Sequence, residues 1–190
     1  MVAELRIHFE GDESLRRGFR KFLDEILKRA QAKRISFKLV ATGGKPAHFY
    51  RKALKKHSQA LNVLLLDSEE PFSEQTAARR GVSDLPPDRV FWMAPVMEVW
   101  FLADADRLME YYGQRFRQTA LPRNRNVEQI LKADVLSSLK RATQDTTAGA
   151  YDKTAHAPSL LGLIRADQVR IAAPNCDRLF TELLAKLSAE

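Results

Sequence analysis

Asn62-Val-Leu-Leu-Leu-Asp67-Ser-Glu69-Glu70-Pro71 is the stretch that decides how this chain is read. Asn62 to Leu66 is a five-residue run with four apolar side chains, and it leads straight into three carboxylates before Pro71 closes the element. A short apolar run bounded by a breaker reads as a buried strand. Acids placed where such a strand ends lie at the carboxyl edge of a sheet, where open α/β folds build their sites. An earlier segment repeats the design: Leu5-Arg-Ile-His-Phe9 is followed by Glu10, Gly11, Asp12 and Glu13. Two acidic strand ends in one small domain point to a divalent-cation site.

Outward from these two segments, the hydrophobic period switches back and forth. Residues 4–9 alternate with period two, and residues 34–41 do so again. Between them, Leu15, Phe19, Phe22, Leu23, Ile26 and Leu27 recur at helical spacing, which predicts one helix over 13–31. Residues 46–59 read as a strongly basic helix, 61–66 as the third strand and 89–94 as the fourth. Gly81, Pro86 and Pro87 mark residues 71–88 as irregular. After Pro95 the pattern turns helical, with helices predicted over 127–141, 159–165, 166–172 and 176–187 and a polar loop over 143–153. Strand–helix alternation predicts an α/β fold, a mainly parallel sheet flanked by helices. Residues 1–105 form its core in this reading, and a mostly helical part, 106–190, packs on that core within a single domain.

At 190 residues the chain buries roughly 70% of its unfolded surface. Its one cysteine, Cys176, excludes an intramolecular disulfide and fits a reducing compartment. No apolar run approaches the roughly 18 residues of a membrane span, and the first residues lack a signal-peptide core. A cytoplasmic protein without membrane contact is expected. The net charge of +7 and pI of about 9.7 fit a polyanionic partner or a plain solvated basic surface. Clustered acids in a basic body favour nucleic acid, because a phosphodiester needs cations on its backbone and carboxylates on the metal.

Glu10 reads as a metal ligand or general base, or as an acid favoured by the following helix dipole. Asp67 and Glu69 are at i and i+2, which in an extended segment points both the same way, so the pair can share a hard cation such as Mg²⁺ or Mn²⁺. Glu98 falls at an expected helix start among apolar neighbours, as a further ligand or base, while Trp100 and Phe101 read as core. Lys153 falls in the expected loop and would neutralise a phosphate, with Tyr151 and His156 in support, or be simply exposed. Gly43-Gly44-Lys45 opens the basic helix that carries Arg51, Lys52, Lys55 and Lys56. Lys45 and those four residues read as contacts to a nucleic-acid backbone or as a solvated face. This is not a P-loop, because Pro46 stands where Ser or Thr is required.

These residues together resemble a TOPRIM (topoisomerase–primase) domain, a Rossmann-like fold. That fold has a Glu after the first strand and an Asp-x-Asp pair after the third, which together bind Mg²⁺. Glu10 matches the first; Asp67-Ser-Glu69 matches the second with Glu for the second Asp, which lengthens one ligand arm. The chain more narrowly resembles small stand-alone TOPRIM-like bacterial proteins, through Glu10-Gly11, Leu65 to Glu69, Met97-Glu-Val-Trp-Phe-Leu-Ala-Asp104 and Tyr151 to Lys153. It also resembles the nuclease half of the OLD-like and RloB-like phage-defence pairs. The resemblance implies a Mg²⁺- or Mn²⁺-dependent nuclease acting on DNA or RNA, with Glu10, Asp67 and Glu69 on metal and Glu98 and Lys153 assisting. It further implies a partner ATPase and allows a homo-oligomer. A non-catalytic nucleic-acid-binding or regulatory subunit of a defence complex is the alternative. A receiver-like phospho-acceptor fits less well, since Lys153 falls far beyond a fifth-strand position.

Overall fold

The computed structural model describes residues 2–189. Four strands form one parallel sheet: β1 (Glu4–Phe9), β2 (Ser36–Ala41), β3 (Leu61–Asp67) and β4 (Val90–Met93), in the order β2-β1-β3-β4. The period-two reading of β1 holds in space, since Leu5, Ile7 and Phe9 are fully buried on one face. β3 is buried along its whole length. Val63 and Leu65 enter the larger core on that same face, while Leu64 and Leu66 enter a smaller one on the other. A strand covered on both faces must be apolar throughout, which is why its sequence does not alternate.

The smaller core lies under α3 (Pro46–Lys56), where Tyr50 meets Leu64, Leu66 and Trp92. The opposite face takes the other long helices. The predicted 13–31 helix is a 3₁₀ turn, Glu13–Leu15, followed by α1 (Arg16–Phe22) and α2 (Asp24–Ala32), with a break at Leu23. Periodicity ran through that break because both halves bury their apolar residues in one core. The irregular 71–88 stretch contains one short helix, α4 (Thr76–Arg79), and a 3₁₀ turn at Pro87–Arg89.

Beyond β4 come α5 (Val99–Leu102), α6 (Ala105–Tyr112), α7 (Lys132–Thr143), α8 (Lys153–Leu161), α9 (Ala166–Ala172) and α10 (Pro174–Ser188). The helix predicted over 127–141 is a 3₁₀ turn at Val127–Gln129 and then α7. The helix predicted over 159–165 instead begins at Lys153, because the Asp152 side chain accepts the Ala155 N–H at 2.8 Å. This cap holds the helix start although Pro158 lies inside the helix. α10 packs on β4 and α2, and α8 packs on α1. One buried cluster therefore runs from Leu5 to Leu187, and the helical half packs on the sheet core. Among the described residues no helix is long and apolar enough to cross a membrane.

The strand order reverses direction between β1 and β3. β1 has β2 on one side and β3 on the other, so the connections leave their carboxyl ends in opposite directions. A crevice opens at such a switch point, and it is the usual ligand site of open α/β sheets.

Candidate functional site

Glu10 and Asp67 follow or end the two strands that flank this crevice. The Glu10 N–H donates to the Leu65 carbonyl at 2.8 Å, extending the sheet ladder by one rung. Gly11 then turns with φ 136°, where a Cβ would come within 2.6 Å of Leu15 Cδ1. The turn brings the Glu10 carboxylate back over β3, and its Oε2 accepts the Asp67 N–H at 3.0 Å. Glu10 and Asp67 thus touch although 57 residues apart.

Asp67 is buried, and its Oδ1 accepts the Met97 N–H at 3.0 Å. Burial pushes its carboxyl up to about 8; Lys153 opposes the shift, and the neighbouring Glu98 and Glu10 carboxylates add to it. Glu98 immediately precedes α5, and its side chain is only 1% exposed. Its Oε1 receives Lys153 Nζ at 3.1 Å and the Tyr151 hydroxyl at 3.3 Å. Its Oε2 is buried with no hydrogen-bond partner. Lys153 is the first residue of α8, not a loop residue as expected from sequence. Its side chain is half-exposed along its length while the ammonium reaches Glu98. Burial draws its pKa down, but Glu98, Asp67 and Glu10 outweigh that and hold it above the usual lysine range.

The fold therefore gathers Glu10, Asp67, Glu98 and Lys153. Glu69 takes another direction. Its φ of 71° ends the extended geometry on which the shared orientation with Asp67 depended, and its carboxylate pairs with Lys132 at the start of α7. Tyr151 joins the site through Glu98. His156 is buried, and its Nδ1 is occupied by the Asp152 N–H at 3.0 Å and the Tyr112 hydroxyl at 3.1 Å.

Arg80 was not anticipated. Its Nη2 reaches both Glu10 oxygens, at 2.8 and 2.7 Å, and its buried Nε has no partner. It follows α4 in the stretch that sequence marked only as irregular, 70 residues from Glu10. No local pattern signals a pairing at that separation. Lys132 and Lys140 also went unnoticed, as ordinary cations of a helix.

Of the basic-helix set, Lys45, Lys52, Lys55 and Lys56 are exposed. Arg51 is committed: it pairs with Asp84 at 2.5 Å and donates to the Gly81 carbonyl at 2.7 Å. Lys45 stands near the acidic cluster, because the Gly43 N–H donates to the Gly11 carbonyl at 2.9 Å. Lys55 and Lys56 stand one helix length away, about 16 Å at 1.5 Å per residue.

A family model described as a domain of unknown function (DUF4276) matches residues 17–184. The chain belongs to this family. The matched DUF4276 span includes Asp67, Glu69, Glu98 and Lys153, while β1 and Glu10 precede it. No curated protein and no solved structure matched the chain.

Hard divalent cations suit the donor set, which is entirely carboxylate oxygen. No group of three or more His, Cys, Asp or Glu among the described residues is close enough to form a complete protein cage. Mg²⁺ does not need one: it commonly binds through one or two carboxylates and keeps its waters. The buried, unpartnered Glu98 Oε2 and the elevated Asp67 are the two groups that a cation would relieve. Asp67 and Glu98 are therefore the residues that would hold Mg²⁺ or Mn²⁺, while Glu10 is held by Arg80.

Proposed function

We propose that this DUF4276 chain is a divalent-metal-dependent nuclease that hydrolyses phosphodiester bonds in DNA or RNA. The observation that carries the reading is the meeting of Glu10, Asp67 and Glu98 with Lys153 at the switch point of a basic α/β protein. Asp67 and Glu98 would hold the cation, and Mg²⁺ or Mn²⁺ held there would polarise a phosphoryl oxygen and activate a water. Lys153 places an ammonium beside the carboxylates, where it offsets charge building on the phosphate. Arg80 places a planar guanidinium against Glu10, a second cation at the cluster. The TOPRIM resemblance supports the same reading and adds a phage-defence setting and a partner ATPase, and the single cysteine fits a cytoplasmic location.

The test is cleavage of plasmid DNA, single-stranded DNA and total tRNA with Mg²⁺ or Mn²⁺ by wild type, Glu10→Ala and Asp67→Ala. Metal-dependent cleavage that both substitutions abolish is expected. Cleavage by Asp67→Ala at the wild-type rate would sink the assignment.

One observation favours a second reading. Arg80 holds both oxygens of Glu10, which suits a resting or regulatory subunit that binds nucleic acid without cutting it. Tight metal-independent binding, with no cleavage even beside a partner ATPase, would select that reading.

A further inference from the structure

A pocket of about 380 Å³ adjoins the acidic cluster, between α7 and α8. One stripe of α7 supplies Lys132, Leu136 and Lys140, spaced i, i+4 and i+8, so all three stand on the same helix face. Lys153 opens α8 on the other side, and Val96 adds an apolar wall. Lys132 is paired with Glu69 and Lys153 with Glu98, while Lys140 forms no ion pair among the described residues. Glu98 also lines the pocket, so whatever sits there abuts the carboxylates.

We infer that this pocket seats one nucleotide of a single-stranded substrate, with its phosphate on Lys140 and Lys153 and its base on Leu136. The inference rests on nucleic acid as the ligand class and narrows it to unpaired strands. The pocket volume lies near the lower end of the roughly 300–1,000 Å³ typical of small-ligand sites, which leaves room inside for one nucleotide and not for a base pair. A duplex would have to unpair and flip a base to use it, at a cost of a few kcal/mol. The wall chemistry agrees: Leu136 gives a base an apolar surface between the ammonium groups of Lys132 and Lys140.

The experiment measures binding in EDTA, so that no cleavage intervenes. Fluorescence anisotropy compares a 12-nucleotide single strand with the same sequence as a blunt duplex, using the full chain. Wild type is expected to bind the single strand at least about tenfold more tightly. Leu136→Trp, which fills the pocket, should remove most of that preference and leave duplex binding nearly unchanged, and Lys140→Glu should weaken single-strand binding more than duplex binding. Circular dichroism and calorimetric Mn²⁺ titration establish that both variants keep the fold and the acidic cluster. Equal single-strand and duplex affinity in wild type would overturn the inference. So would an unchanged preference in Leu136→Trp, or an equal loss on both ligands in Lys140→Glu. Selective single-strand binding without any cleavage would keep the inference and remove the nuclease reading. Metal-dependent cleavage with no effect of Leu136→Trp would do the reverse.

Discussion

At Asp67, burial holds the carboxyl near 8, against 3.8 for the free side chain. Folded protein therefore retains a proton that the unfolded chain releases between those values. Stability from this group is full below about pH 4 and is lost as pH rises through about 8. Asparagine cannot ionise, and its amide oxygen can still accept the Met97 N–H. In EDTA, Asp67→Asn should match wild type near pH 4 and exceed it at pH 8.5, by an amount on the order of a few kcal/mol. Urea denaturation at the two pH values reads this directly, and equal stabilities at pH 8.5 would contradict it. Arg80 gives the second residue-scale prediction. The guanidinium competes with a cation for Glu10, so Arg80→Ala should tighten Mn²⁺ binding, by roughly five- to tenfold for one removed neighbouring charge. Calorimetric titration is the check, and weaker Mn²⁺ binding would assign Arg80 to holding the site together.

Two contacts between elements carry the next predictions. Gly18 lets α1 approach α8 so closely that a Cβ would lie 2.7 Å from the Pro158 carbonyl oxygen. Alanine usually improves a helix interior by about 1 kcal/mol over glycine. Here the opposing atom is backbone, and overpacking of this kind costs about 1–3 kcal/mol. Gly18→Ala should therefore be net destabilising, visible as a lower urea midpoint. Glu128 makes the other contact. It is buried, and its carboxylate accepts N–H donors from Asn175 at 2.9 and 3.1 Å and from Cys176 at 3.4 Å, capping α10 from 47 residues away. Glu128→Ala should lose roughly 1–3 kcal/mol by leaving those donors unmatched. These contacts also mark where sequence stopped being readable. Strand positions, Glu10 and Asp67 followed from hydrophobic period and from acids at strand ends, both local signals. The Leu23 break, the αL turn at Glu69 that swings it to Lys132, the Glu128 cap and the Arg80 clasp are set by partners distant in sequence. The α8 start is a different case. The Asp152 cap is a local signal, yet helical spacing alone placed the start at residue 159.

For the whole molecule, the question is whether the charge of +7 acts as a surface or only as a number. The acidic cluster lies at the carboxyl edge of the sheet, and Lys45 stands beside it. Lys52, Lys55 and Lys56 continue along α3 toward the opposite edge. A strand that entered at the cluster and followed α3 would cover about 16 Å, enough for a contact to each of the three lysines. Arg51 contributes little to this track, being held by Asp84. Replacing Lys52, Lys55 and Lys56 with alanine should then lower single-strand affinity and flatten its dependence on salt. Each single-strand phosphate contact contributes about 0.7 to the slope of log K against log salt, so the triple variant should lose about 2. Mn²⁺ affinity should stay at the wild-type value, because a helix length and a Debye length near 10 Å separate most of these lysines from the carboxylates. An unchanged salt slope would make α3 a solvated face and leave the α7–α8 lysines as the main electrostatic contact.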